Sequence, residues 1–118
     1  MPTLSIKTNT TSVDRISQSD VVREASALVA DLLGKPEAYV MVLLEAGVTM
    51  AFGGTEEPAA FVELVSLGSI GGEKNKTISK GICEFVQAKL GVAPNRTYIH
   101  FIDPPRSNFG FNSSTFAK

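Results

Sequence analysis

The chain has 118 residues, 43% hydrophobic and 19% charged, a globular rather than disordered composition that suits one folded domain over residues 1–118. Eleven Lys and Arg against twelve Asp and Glu leave a formal charge of −1 with no basic stripe, which argues against nucleic acid as a partner. One cysteine, Cys83, and one histidine, His100, furnish neither an internal disulfide nor a Cys/His ligand set, so no metal site is expected.

Taken in chain order, Leu4 and Ile6 alternate with Thr3, Ser5 and Lys7, which predicts a half-buried strand. Pro2 at its head has two readings. The first position of a strand tolerates a residue without an N–H. Equally, loss of Met1 leaves Pro2 with a free secondary amine, a base at the end of a stiff element. A polar turn follows, and Ser17 with Asp20 three residues later predicts a helix start. Val21, Val22, Ala25, Leu28, Val29, Leu32 and Leu33 then give one apolar helical face, stopped by Gly34 and Pro36. Tyr39 to Glu45 is nearly continuously hydrophobic and predicts a strand covered on both faces. Val48 to Phe52, closed by Gly53-Gly54, adds a candidate short strand.

The second half follows the same plan. Ala60 to Leu67 predicts a strand, and residues 74–90 a helix with Ile78, Ile82, Phe85, Val86 and Leu90 on its apolar face. Gly91 and Pro94 end it, and Thr97 to Ile102 predicts another strand. Leu33-Gly34 matches Leu90-Gly91, Tyr39 matches Tyr98, and Phe52-Gly53 matches Phe109-Gly110, at offsets of 57, 59 and 57 residues. The expected fold is therefore α+β: duplicated β-α-β units forming a four-stranded mixed sheet with two helices on one face. The other face would carry exposed apolar residues, which predicts a homo-oligomer with sheets facing one another. The tail supplies three aromatics outside both units, Phe109, Phe111 and Phe116, as candidates for reaching a neighbour.

No charged-then-apolar leader opens the chain, and the longest apolar run, Ala38 to Leu44, is too short for a bilayer; the expectation is a cytoplasmic protein without membrane contact. For chemistry, a free α-amino group has an ordinary pKa of about 7.7–8.0, and burial or a nearby cation lowers it enough to make a base near neutrality. Lys35, between a helix end and a strand start, is a candidate cation; its plain alternative is a solvated lysine favourable to the helix dipole. His100 reads first as a packing residue on a strand, and Cys83 as a buried structural thiol.

Met1-Pro2, Gly34-Lys35-Pro36, Met50-Ala51-Phe52-Gly53-Gly54, Ser66-Leu67-Gly68, Ile70-Gly71-Gly72, Tyr98-Ile99 and Asn112-Ser113-Ser114-Thr115-Phe116-Ala117 stand in an order that resembles the macrophage migration inhibitory factor family of the tautomerase superfamily over nearly the full length. The resemblance implies a homotrimer around a central channel. It implies cofactor-independent keto–enol tautomerisation of aryl pyruvates such as phenylpyruvate, with Pro2 as general base and acid after loss of Met1. Lys35 and the backbone N–H of Leu67 would meet the substrate carboxylate. Tyr98 and His100 would come from a neighbouring subunit, and Tyr39, Phe109, Phe111 and Phe116 would line or rim an aromatic pocket. The alternative is a cytokine-like signalling ligand, exported without a leader, whose receptor surface is not readable from the residues. Three positions depart from the family pattern. His100 stands where asparagine is common and Phe111 where tryptophan is common, and Ala59-Ala60-Phe61-Val62 replaces a C-x-x-C pair, so thiol–disulfide activity is not expected.

Overall fold

The computed structural model describes residues 1–11 and 15–118. Strand β1 spans Thr3–Thr8, helix α1 Arg15–Leu33, β2 Met41–Glu45, β3 Ala60–Val65, α2 Gly72–Leu90 and β4 Thr97–Ile102. A two-stranded ribbon closes the chain, β5 Gly110–Phe111 against β6 Ser114–Thr115. The four long strands make one mixed sheet in the order β2-β1-β3-β4. β1 runs parallel to β2 and antiparallel to β3, and β3 runs parallel to β4. This is the duplicated β-α-β arrangement, with the two units joined back to back through β1 and β3.

Alternation in the strands decides which face meets the helices. Leu4 and Ile6 of β1 and Ala60, Val62 and Leu64 of β3 are buried, and they cluster with Val21, Ala25, Val29 and Leu33 of α1 and Ile78, Ile82, Val86 and Leu90 of α2. Both helices thus cover a single face, as the periodicity predicts. Gly81 lets them approach, since a Cβ there would sit 3.0 Å from the Leu32 methyls. Leu64, fully buried in this layer, makes a direct test: Leu64→Ala should cost about 3 kcal/mol by urea unfolding.

The helix ends fix where the following chain goes. Gly34, at φ +63°, lets its N–H bond the Asp31 carbonyl and the Lys35 N–H bond the Ala30 carbonyl, a Schellman ending that sets the direction of Lys35. Gly91, at φ +71°, ends α2 with one bond to the Gln87 carbonyl. These two glycines are true equivalents.

Several expectations are corrected. Helix α1 begins at Arg15, so Ser17 lies inside its first turn; the polar turn before it falls partly outside the described residues. Tyr39 is not in a strand: Pro36, extended at φ −62° and ψ 132°, opens a 3-10 turn over Glu37–Tyr39, and β2 starts at Met41. The equivalent turn of the second half is Pro94–Arg96, so Tyr39 and Tyr98 are not repeat partners. Within this chain β2 is covered on one face alone, with Met41 60% and Leu43 45% exposed on the other. Residues 48–52 form no strand; only Phe52 and Thr55 bridge each other across the Gly53-Gly54 turn.

Candidate active site

The start of β1 lies in the sheet between β2 and β3, and this places the N-terminus at a defined spot. The Pro2 carbonyl accepts the Met41 N–H at 3.0 Å, and Pro2 itself is fully buried. Met1, Thr3, Ala38, Tyr39, Val40 and Met41 form one wall of a cavity of about 300 Å³, and the tail residues Phe109, Gly110, Phe111 and Phe116 form the other. The tail rings build that wall as a set. Phe111 and Phe116 stack at 5.5 Å and 8°, Phe109 tilts against Phe116 at 5.7 Å, and Tyr39 meets Phe111 edge-on at 6.2 Å. Asn112 and Ser113, at φ +52° and +63°, turn the ribbon that returns Phe116 to Phe111. A larger depression of about 450 Å³ between Asp20 and Lys89 is charged and remote from the N-terminus.

Lys35 is the cation nearest the amine. Its ammonium donates to the Leu67 carbonyl at 2.5 Å, which holds the end of α1 against the end of β3. Leu67 is buried, and Ser66 beside it is tied by its N–H to the Ile102 carbonyl and by its hydroxyl to the Gly68 carbonyl. The N-terminal amine is lowered from an ordinary 8.0 to about 6, chiefly by burial, then by the Lys35 charge and hydrogen bond, and last by the Arg106 charge. This amine belongs to Met1, one residue upstream of the Pro2 nitrogen. While Met1 is attached, the Pro2 nitrogen is a tertiary amide and has no useful basicity.

A family model described as macrophage migration inhibitory factor matches residues 1–117. The chain belongs to the macrophage migration inhibitory factor family. It is 44% identical over 116 residues to a macrophage migration inhibitory factor homolog of Trichuris trichiura, covering 98% of this chain and all of that one. It is 37% identical over 118 residues to macrophage migration inhibitory factor of Xenopus tropicalis, covering 99% and 100%. Among solved structures, a macrophage migration inhibitory factor homologue from Prochlorococcus marinus superimposes with a TM-score of 0.91 at 36% identity, covering 98% of this chain and 99% of that one. The family is part of the tautomerase superfamily, and the four-stranded mixed sheet with two helices is the fold of these relatives.

Within this member of the family, Pro2, Lys35 and Leu67 gather around the N-terminus, and Tyr39, Phe109, Phe111 and Phe116 line the adjoining cavity. Tyr98 and His100 do not reach it within one chain. They lie on the sheet face opposite the helices, Tyr98 65% exposed and packed on Phe52 at 4.9 Å. The His100 Nδ1 is 3.6 Å from a Glu63 carboxylate oxygen, across the β3–β4 pair. Ala38, Val40 and Met41 in the cavity wall, and Arg106 as a second cation, go beyond the residues singled out from the sequence. Arg106 stands three residues before Phe109, so the tail carried the signal; the apolar three lie in a run that reads equally as core. Burial raises the Cys83 thiol above its ordinary range, which disfavours the reactive thiolate. Among the described residues no helix is long and apolar enough to cross a membrane, and none groups into a metal-ligand set.

Proposed function

We propose that the protein is a cofactor-independent keto–enol tautomerase acting on aryl pyruvates such as phenylpyruvate, with the Pro2 amine, freed of Met1, as general base and acid. One observation carries this reading: the N-terminus opens onto an aromatic cavity with a lysine ammonium beside it. In the ketonising direction, neutral Pro2 takes the enol O–H proton and the resulting ammonium returns a proton to the adjacent carbon. Atoms and charge balance without a redox partner, because the substrate's own carbonyl delocalises the electron pair. Lys35 and the Leu67 N–H meet the carboxylate, and Tyr39, Phe109, Phe111 and Phe116 enclose the aryl ring.

The same proposal makes the active form a homotrimer of this single domain. Met41, Leu43, Phe61 and Tyr98 leave an apolar sheet face exposed on one chain, which favours self-association. In that assembly Tyr98 and His100 complete a neighbour's pocket. The test is loss of the phenylpyruvate enol absorbance on adding Met1-free protein at the trimer's mass. Catalysed ketonisation is expected, and a rate equal to buffer alone contradicts the proposal.

A second reading, a cytokine-like ligand whose pocket is secondary, is favoured by the names of the relatives in Trichuris trichiura and Xenopus tropicalis. A Pro2 variant that lacks ketonisation and keeps full activity in a macrophage migration assay would favour it.

A further inference from the structure

We infer that Arg96 is a positioning residue for Tyr98, acting through a clasp formed by residues 50–58. The inference rests on the reading that Tyr98 serves a neighbouring subunit's pocket. Tyr98 lies on β4, an edge strand, with its ring on the face away from the helices. An exposed tyrosine there has several staggered rotamers open to it, and a pocket wall needs one. Phe52 is the ring packed against it, 4.9 Å between centroids and tilted by 50°.

Phe52 is itself held from three sides. Its N–H bonds the Thr55 carbonyl at 2.9 Å, and its carbonyl accepts the Thr55 N–H at 3.2 Å. The same carbonyl accepts Nη1 of Arg96 at 3.2 Å, while the Arg96 guanidinium carbon sits 5.2 Å over the Phe52 ring. The remaining guanidinium donors go to backbone as well: Nε to the Pro58 carbonyl at 2.9 Å, and Nη2 to those of Glu57 at 3.0 Å and Thr55 at 3.4 Å. From the other side Asn9 donates to the carbonyls of Glu56 and Glu57, both at 3.0 Å, and accepts the Ala59 N–H at 2.9 Å. The glycine turn at 53–54 thus becomes a fixed support and not a free loop.

Arginine is required by the geometry. One planar group reaches four carbonyls and covers a ring, whereas a lysine ammonium is a point donor on a flexible stem. Arg96 is two residues before Tyr98 at the entry to β4, and the Phe52 ring contacts both the Arg96 guanidinium and the Tyr98 ring.

The experiment is a double-mutant cycle on Met1-free protein, read as phenylpyruvate KM and kcat. Arg96→Lys should raise KM about tenfold, with kcat within about twofold and the pH inflection of the rate unmoved. Phe52→Leu should do the same. In a Tyr98→Ala background, Arg96→Lys should change KM by less than about twofold. An equal KM effect in both backgrounds would reduce Arg96 to a structural staple and overturn the inference. If the unmodified protein ketonises nothing, the tautomerase reading fails, and the clasp is decided separately by 3-fluorotyrosine NMR. With two tyrosines in the chain, Arg96→Lys should shift or broaden the Tyr98 line and leave Tyr39 in place; an unmoved Tyr98 line overturns the inference.

Discussion

Pro2→Gly, in protein freed of Met1, is expected to lower the rate of phenylpyruvate ketonisation about a hundredfold while leaving KM within a few-fold. Glycine keeps a terminal amine of ordinary basicity, so the loss does not come from removing the base. It comes from freeing it. The proline ring locks φ, and the Pro2 carbonyl is already pinned by the Met41 N–H, so the nitrogen of a processed chain has one direction. A terminal glycine has no ring, so its amine turns freely about the N–Cα bond and its lone pair samples directions away from the cavity. Substrate binding is expected to survive, because the proposal assigns the carboxylate and ring contacts to Lys35, Leu67 and the tail aromatics. The enol absorbance assay separates the two parameters. A Pro2→Gly rate within about twofold of the parent would contradict the proposed role.

Lys35→Ala acts on binding and on the base together. Loss of the ammonium removes the proposed partner of the substrate carboxylate, and KM is expected to rise about tenfold. The amine loses its nearest cation as well. The Met1 amine at this spot is lowered to about 6, chiefly by burial and then by Lys35; the same cation disfavours the charged form of a freed Pro2 amine, so its removal moves that pKa upward while the burial persists. The sign is definite. The active form of the base is neutral, so the rate rises with pH through the amine pKa, and in Lys35→Ala the rising limb moves to higher pH. A pH–rate profile for Lys35→Ala that overlays the parent's would remove Lys35 from the tuning of the amine. The Lys35 bond to the Leu67 carbonyl is lost too, so thermal unfolding of the variant belongs beside the kinetics.

The sequence made the helices and the central strands legible because each buries one face, and one-sided burial leaves a period. Val21, Ala25, Val29 and Leu33, or Ile78, Ile82 and Val86, can be read from spacing alone. Gly34 and Gly91 were legible as stops, since a left-handed residue after a helix favours glycine. The run from Ala38 to Leu44 misled because its apolarity is continuous, and continuous apolarity carries no period. Part of it is the 3-10 turn that carries Tyr39 into the cavity wall, and part is a strand whose outer face lies bare in one chain. Val48 to Phe52 misled for another reason: from Met50 on, the chain belongs to the clasp over residues 50–58. Their partners, Asn9 and Arg96, lie about forty residues away along the chain, so no local pattern reports that the backbone is held by side chains and not by a ladder. The site shows the same division. Pro2 and Lys35 were suggested by the chemistry of an amine near a cation, whereas the enclosure of the amine by Tyr39 and the tail rings exists only once the ribbon has turned back at Asn112 and Ser113.

If a freed Pro2 amine is the base, an attached Met1 blocks the chemistry. Two preparations of the same chain, one with Met1 retained and one with it removed, each verified by intact mass, should be assayed side by side for phenylpyruvate ketonisation. The processed protein is expected to be about a hundredfold or more faster. Equal rates would contradict the account, since a Pro2 nitrogen in amide linkage has no proton to take or give.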